Sequence, residues 1–230
     1  MLQLHSVSKD YTRRGKTVKA LDDVTLQIAQ GDFVSVVGPS GSGKSTLLLI
    51  LGGMLSPAAG QVLVEGQSVY DLNSSRRAAF RKAKIGFVFQ TFNLVPYLTA
   101  LENVQIPLLL AGKSDDKQKA TASSLLERLG LGDRLDHKPS ELSVGQQQRV
   151  ALARMLANDP KVILADEPTG NLDPDTSEGV LTFFEEVNRE GRTIVMVTHD
   201  MRAARKARRT LRLENGRVHS DDAVPGGKEH

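Results

Sequence analysis

One segment restricts the possible folds of this chain more than any other. Residues Gly38 to Ser45 match the pattern G-x-x-x-x-G-K-[ST], whose glycines let the backbone turn tightly. The continuous apolar run Phe33 to Val37 predicts a buried strand before it, and Lys44 to Met54 predicts a helix after it. A loop in this position can point successive backbone amides at phosphate oxygens. The segment therefore predicts a phosphate-binding loop.

Side chains of this loop also have predicted roles. Lys44 would reach the β- and γ-phosphates of a nucleotide, and Ser45 would supply a hydroxyl to Mg²⁺. A flexible Gly/Ser linker is the alternative, but the flanking strand and helix favour a nucleotide site. The predicted nucleotide contacts in the loop are Gly38, Pro39, Ser40, Gly41, Ser42, Gly43, Lys44, Ser45 and Thr46.

Composition excludes several other classes of site. The chain has 230 residues, enough for one globular domain, and it has no cysteine, which excludes disulfide frameworks and thiolate metal sites. A net charge of +3 is too small to argue for nucleic acid, and no nucleic acid partner is expected. The apolar stretches 47–55 and 106–111 are far shorter than the roughly 20 residues of a membrane-spanning helix. A membrane role would therefore require a partner.

Alternating strands and helices predict an α/β fold with a parallel sheet. Strands are expected at 33–37, 61–65, 85–89, 162–165 and 193–198, and helices at 115–129, 144–157 and 174–189. The last of these helices would begin after a capping carboxylate, Asp173, with Pro174 in its first turn. Val24, Leu26 and Ile28 alternate with polar residues, and this early group of strands predicts an antiparallel edge piece. Asn215-Gly216 favours a tight hairpin.

The apolar strand that starts at Val162 ends in two carboxylates, Asp166 and Glu167. The carboxyl ends of parallel strands meet at one edge of a sheet, so both would lie near the phosphate loop. Asp166 would hold Mg²⁺, through water, and Glu167 would act as the base that orients the attacking water. Acidic residues at a strand end often form only a solvated turn, but the phosphate loop favours the catalytic interpretation.

The order of these motifs resembles the ATP-binding cassette of ABC transporters over residues 2–218. Phe89-Gln90 resembles the family's Q-loop, and Leu142-Ser143-Val144-Gly145-Gln146 resembles its signature. Asn171-Leu172-Asp173 resembles the D-loop, and His199 stands at the position of the switch histidine. Tyr11 lies where the family places an aromatic side chain that stacks on adenine.

The resemblance implies an ATPase whose cofactors are ATP and Mg²⁺. It also implies a P-loop NTPase fold with a RecA-like parallel-sheet core, an N-terminal antiparallel β subdomain and an inserted α-helical subdomain. The expected single domain covers residues 1–220, with the core at 1–90 and 158–219, the helical subdomain at about 91–157 and a flexible tail at 220–230. The implied catalytic residues are Glu167, His199 and Gln90, and the implied metal ligands are Ser45, Gln90 and Asp166.

In the family that this chain resembles, two cassettes pack head to tail. Each ATP then lies between one phosphate loop and the signature of the other subunit. The resemblance implies that Ser143 and the amide of Gly145 would cap the γ-phosphate of the other copy's ATP. Val144 departs from the family, which usually has glycine there, and valine excludes a positive φ. We expect activity to persist if Val144 is helical or extended.

The segments 87–96, 98–104 and 164–173 resemble the branch of lipoprotein-releasing and macrolide-export ATPases. Members of that branch pair with permeases that have few transmembrane helices and a large extracytoplasmic domain. The resemblance therefore implies a peripheral protein on the cytoplasmic face of the inner or plasma membrane. The alternatives are a cell-division ATPase that regulates a membrane partner, a soluble ABC ATPase that acts on DNA or ribosomes, and a kinase of small molecules.

Two further segments have open interpretations. Leu94 to Pro107 carries apolar residues at helical spacing, which favours core packing but would also suit a groove for a permease helix. We expect changes at Tyr97 or Leu98 to uncouple ATP turnover from transport. The five basic residues between Arg202 and Arg209 favour a solvated helix face over a contact with lipid or nucleic acid.

Overall fold

The structure, a computed structural model, describes residues 1–13 and 15–223 and divides them between two sheets and two groups of helices. The strands are β1 (Leu2–Arg13), β2 (Lys16–Ile28), β3 (Phe33–Val37), β4 (Ala59–Val64), β5 (Gln67–Ser68), β6 (Ile85–Phe89), β7 (Val162–Asp166), β8 (Thr193–Val197), β9 (Arg209–Glu214) and β10 (Arg217–Ala223). The helices are α1 (Lys44–Leu51), α2 (Ser74–Lys84), α3 (Ala100–Leu110), α4 (Asp115–Arg128), α5 (Val144–Leu156), α6 (Pro174–Arg189) and α7 (Met201–Ala204), with a 3-10 turn at Pro139–Glu141.

The larger sheet has the order β10-β9-β3-β8-β7-β6. Strands β9, β3, β8, β7 and β6 run parallel, and β10 returns antiparallel to β9 through the turn at Asn215-Gly216. Strands β3 and β8 are buried along their whole length, as expected for parallel strands covered on both faces. The carboxyl ends of β3, β7 and β8 therefore share one edge of the sheet, and that edge carries the candidate site.

The smaller sheet is antiparallel, in the order β2-β1-β4-β5. Its inward side chains, including Leu4, Leu26 and Val62, belong to the same buried cluster as Leu48 of α1 and Val36 of the larger sheet. This sheet is the expected N-terminal antiparallel piece, and it anchors the outer side of the phosphate loop and α1.

Helices α3, α4 and α5 pack against one another between β6 and β7 in the sequence. Their apolar residues, such as Val104, Leu126 and Val150, form one continuous cluster with Phe184 of α6 and Ile163 of β7. Capping boxes start two of these helices, with Thr99 and Glu102 at α3 and Ser143 and Gln146 at α5. In the described part of the chain, no helix is both long and apolar enough to span a bilayer.

Two boundaries differ from the expectations by three residues or more. Helix α1 ends at Leu51 rather than Met54, because Gly53 (φ 66°) and Met54 turn back to donate hydrogen bonds to the carbonyls of Ile50 and Leu49. Residues 220–223, expected in a tail, pair with β9 as part of β10, and Asp221 binds Arg209 at 2.5 Å. The rest of the expected tail, 224–230, lies outside the described residues.

The basic run from Arg202 to Arg209 does not form one solvated helix face. Helix α7 ends at Ala204, and Arg209 lies on β9, where it also pairs with Asp221. Lys206 lies 2.5 Å from Glu178 of α6. Arg202 also lies 3.4 Å from the Asp200 carboxylate, so three of the five cations pair with carboxylates of this chain and the run is not one free basic surface.

Candidate functional site

The phosphate loop, residues 38–46, lies where β3 meets α1 and is held from outside by β9 and β2. A Cβ atom on Gly38 would lie 2.0 Å from the carbonyl oxygen of Leu213, so only glycine fits against β9 at this point. The amide of Gly216 donates to the carbonyl of Ser42 at 3.1 Å, which ties the loop to the β9–β10 turn. The loop geometry is thus set by neighbouring strands as well as by its own glycines.

The side chains of Lys44 and Ser45, at the end of the loop, make polar contacts with the loop backbone and with the end of β7. The ammonium of Lys44 donates to the carbonyls of Gly38 and Pro39, each at 2.9 Å. The hydroxyl of Ser45 donates to Oδ1 of Asp166 at 3.2 Å, which links α1 to the end of β7. Burial raises the pKa of Asp166, while the hydrogen bond from Ser45 opposes that rise. Ser45 and Asp166 present hard oxygen donors of the kind that a divalent cation takes.

A cleft of about 510 Å³ opens above the loop, within the usual range for small-molecule sites. Its lining includes Tyr11 and Val18, which pair across β1 and β2, as well as Glu167 and His199. Most of the predicted nucleotide contacts line the cleft: Tyr11, Gly38, Ser40, Gly41, Gly43, Lys44, Ser45 and Thr46. Pro39 and Ser42 are not among its lining residues in the described chain, and Ser42 is buried.

Glu167 and His199 form one unit at the edge of the cleft. Glu167 has a left-handed backbone (φ 48°), a conformation that costs a non-glycine residue roughly 1–2 kcal/mol. Its amide donates to the carbonyl of Val197 at 3.0 Å. Nδ1 of His199 lies 2.9 Å from Oε2 of Glu167, and the His199 amide donates to the same oxygen at 3.3 Å. Two groups from the end of β8 therefore fix one carboxylate oxygen.

Gln90 and the D-loop lie together. The side-chain amide of Asn171 donates to the carbonyl of Gln90 at 3.1 Å. Among the described residues, Gln90 does not line the cleft that Ser45 and Asp166 share. Of the three predicted metal ligands, Ser45 and Asp166 therefore lie in contact, whereas the backbone of Gln90 is bonded to the D-loop. Asp173 caps α6, where its carboxylate accepts hydrogen bonds from the amide and hydroxyl of Thr176.

The signature residues begin α5. The hydroxyl of Ser143 accepts from the amide of Gln146 at 3.2 Å, and Oε1 of Gln146 accepts from the amide of Ser143 at 2.9 Å. Val144 is the first helical residue and is 50% exposed, so valine fits here without a positive φ. Leu142 is buried. Ser143 and Gly145 line a separate groove of about 720 Å³ between α5 and α6.

The motifs did not include two residues that tie α5 to the site loops. Arg154 donates to the carbonyls of Phe92 and Asn93, at 2.5 and 2.6 Å, just after the Q-loop. Gln148 is wholly buried and donates to the carbonyl of Pro168 at 2.7 Å, next to Glu167. A signal for Gln148 was available, because it shares the buried face of α5 with Leu152 and Met155 at helical spacing.

Comparisons with known proteins agree with this geometry. A protein-family model described as ABC transporter matches residues 21–170. The chain is 51% identical to the lipoprotein-releasing system ATP-binding protein LolD of Myxococcus xanthus, over 95% of this chain and 98% of that protein. It is 49% identical to an uncharacterized ABC transporter ATP-binding protein of Thermotoga maritima, over 95% and 93%. It is 48% identical to the macrolide export ATP-binding/permease protein MacB of Syntrophobacter fumaroxidans, over 98% of this chain but 32% of that protein.

A solved structure described as a dimeric, post-hydrolysis state of an ATP-binding cassette bound to ADP and Pi matches with a TM-score of 0.92 and 43% identity. The match covers 98% of this chain and all of that one. The site and fold thus define an ATP-binding cassette, an ATPase domain of the P-loop α/β class. This chain belongs to the ABC transporter family, as its motifs predicted.

Proposed function

We propose that this ATPase works as a head-to-tail pair with a second copy of itself and drives a membrane permease of the lipoprotein-release or macrolide-export type. The separation of two features on one chain carries the proposal. The signature residues Ser143 and Gly145 line a groove between α5 and α6, while the phosphate loop faces a different cleft. A single copy thus offers two half-sites, and a second copy would complete both.

Each half-site has a defined task in ATP hydrolysis. The loop amides and Lys44 bind the phosphates, while Ser45 and Asp166 would hold Mg²⁺, which would offset phosphate charge. Glu167 accepts a hydrogen bond from the attacking water, and His199 keeps its carboxylate in place. Ser143 and the Gly145 amide, at the positive end of α5, stabilise the γ-phosphate of the other copy's ATP.

The membrane partner is inferred from the names of the relatives and from one exposed side chain. LolD is named for a lipoprotein-releasing system and MacB for macrolide export, and this chain spans about a third of the MacB protein. We place the cassette on the cytoplasmic face of the membrane, bound to a permease with a large extracytoplasmic domain. The candidate contact is Tyr97, whose side chain is 83% exposed. Asn103 supports this segment, because its amide bonds the backbone of Val95, Leu98 and Thr99.

The variant Glu167→Gln tests the head-to-tail pair. Without the base, turnover should fall by roughly a hundredfold or more, while ATP still binds and holds two copies together. Size-exclusion chromatography with light scattering, with and without ATP, measures the assembly. The proposed paired site would be contradicted if Glu167→Gln stayed monomeric in saturating ATP. It would also be contradicted if the specific activity of the wild-type protein stayed constant on dilution.

A further inference from the structure

Gln148 connects the signature helix to the catalytic turn of the same chain. It is 0% exposed, and its Nε2 donates to the carbonyl oxygen of Pro168 at 2.7 Å. Its Oε1 is also buried and has no hydrogen-bond partner among the described residues. A half-satisfied amide in a buried position is costly, and an apolar side chain of the same size would avoid that cost. Packing alone therefore does not account for a glutamine here.

The bond reaches the turn that holds Glu167. That turn runs from Glu167 to Gly170 and is closed by a hydrogen bond from the Gly170 amide to the Glu167 carbonyl at 3.1 Å. On its other side, the Glu167 amide is bonded to Val197 of β8. A left-handed backbone at Glu167 persists only where the surroundings hold it. Strand β8 holds this residue from one side, and Gln148 holds the following residue from the other.

Helix α5 carries both Gln148 and, at its N-terminus, the signature residue Ser143. A displacement of α5 relative to β7 would move the donor of the Gln148 bond and with it the carbonyl of Pro168. We propose that Gln148 is a positioning residue, which sets the backbone of Glu167 and transmits the position of the signature helix to the catalytic base of its own chain. This inference rests on the proposed roles of Glu167 and the signature.

The variant Gln148→Met tests the role, because methionine fills a similar volume and cannot donate. The matched control is Gln118→Met on α4, since Gln118 is also buried and donates to a backbone carbonyl, that of Lys113, at 2.8 Å. We expect kcat to fall by about ten- to a hundredfold in Gln148→Met, with KM for ATP within about twofold. In Gln118→Met both constants should stay within about twofold, even if the melting temperature changes equally. Equal kcat losses in the two variants, or none in Gln148→Met, would overturn the proposal.

A double variant then tests whether Gln148 acts through Glu167. Single-turnover hydrolysis is compared between Glu167→Gln and the pair Glu167→Gln with Gln148→Met. We expect the hydrolysis rates of the two to agree within about twofold, because the carboxylate that Gln148 positions is already absent from both. If Gln148→Met lowered the hydrolysis rate as much in the Glu167→Gln background as in the wild type, Gln148 would act independently of Glu167 and the inference would be refuted.

Three further results separate a folding defect, a failure of the proposed mechanism and a failure of this inference. If Gln148→Met does not fold, Gln148→Asn replaces it, since its amide is one methylene too short to reach Pro168, and the same loss of kcat is expected. If wild-type ATP turnover does not depend on Glu167, the proposed mechanism fails together with this inference. If it depends on Glu167 but not on Gln148, only the inference fails.

Discussion

At the residue scale, Asp166 shows how a functional carboxylate lowers stability. Burial raises its pKa, so the folded protein binds this proton more tightly than the unfolded chain does. The contribution to stability is therefore greatest at low pH, and it is lost as the pH rises through the raised pKa. At neutral pH the charged carboxylate weakens the fold while it stands ready for a cation.

We therefore expect Asp166→Asn to raise the melting temperature of the nucleotide-free protein at pH 7 and to reduce ATPase activity by about tenfold or more. The gain in stability should shrink as the pH is lowered. Asp173→Asn is the control with the opposite sign, because hydrogen bonds from Thr176 lower the pKa of Asp173. Asp173→Asn should have a lower melting temperature than the wild type at pH 7, and the two melting temperatures should converge at low pH. Scanning calorimetry across pH measures both, and a pH-independent gain in Asp166→Asn would refute the argument.

At the scale of elements, the phosphate loop depends on β9 as much as on its own sequence. Gly38 lies so close to the Leu213 carbonyl that Gly38→Ala must displace the loop or the strand. We expect a large fall in melting temperature and loss of ATP binding. Gly31→Ala, at a turn (φ 78°) where a Cβ would meet nothing within 4 Å, should cost only the roughly 1 kcal/mol of its backbone conformation. Similar melting temperatures for the two variants would contradict this account.

Elements with strong local signals were predictable from the sequence. Strand β6 and helix α6 have the expected bounds, because β6 is an apolar run and Asp173-Pro174 starts α6. Helix α2 was not anticipated, since its sequence is polar and its one buried side chain, within the described residues, is Phe80. The candidate site residues Lys44, Ser45, Asp166 and Glu167 could be named from the sequence, because each belongs to a short local motif. The Gln148–Pro168 bond joins residues 20 positions apart, and only packing brings them together.

At the scale of the whole molecule, Tyr97 is the best test of a permease contact. Tyr97 is 83% exposed, whereas in the same segment, 94–107, Val104 is buried and Leu98 and Leu101 are half-buried. The expected core packing thus holds for Val104, and Tyr97 remains the candidate for the proposed permease contact. Such an exposed aromatic side chain on a fixed backbone is typical of residues that anchor an interface.

The variant Tyr97→Ala should leave the fold and the ATP turnover of the purified cassette unchanged, because its side chain lies outside the cleft. In membranes of the native host, we expect it to lose co-purification with the permease and to uncouple hydrolysis from export. Met201→Ala is the control, because Met201 is also an exposed apolar side chain but lies on α7. If Tyr97→Ala and Met201→Ala recovered the permease equally well, the permease would dock on a surface other than the one around Tyr97. Loss with Tyr97→Ala alone would identify the segment through which ATP hydrolysis acts on the membrane partner.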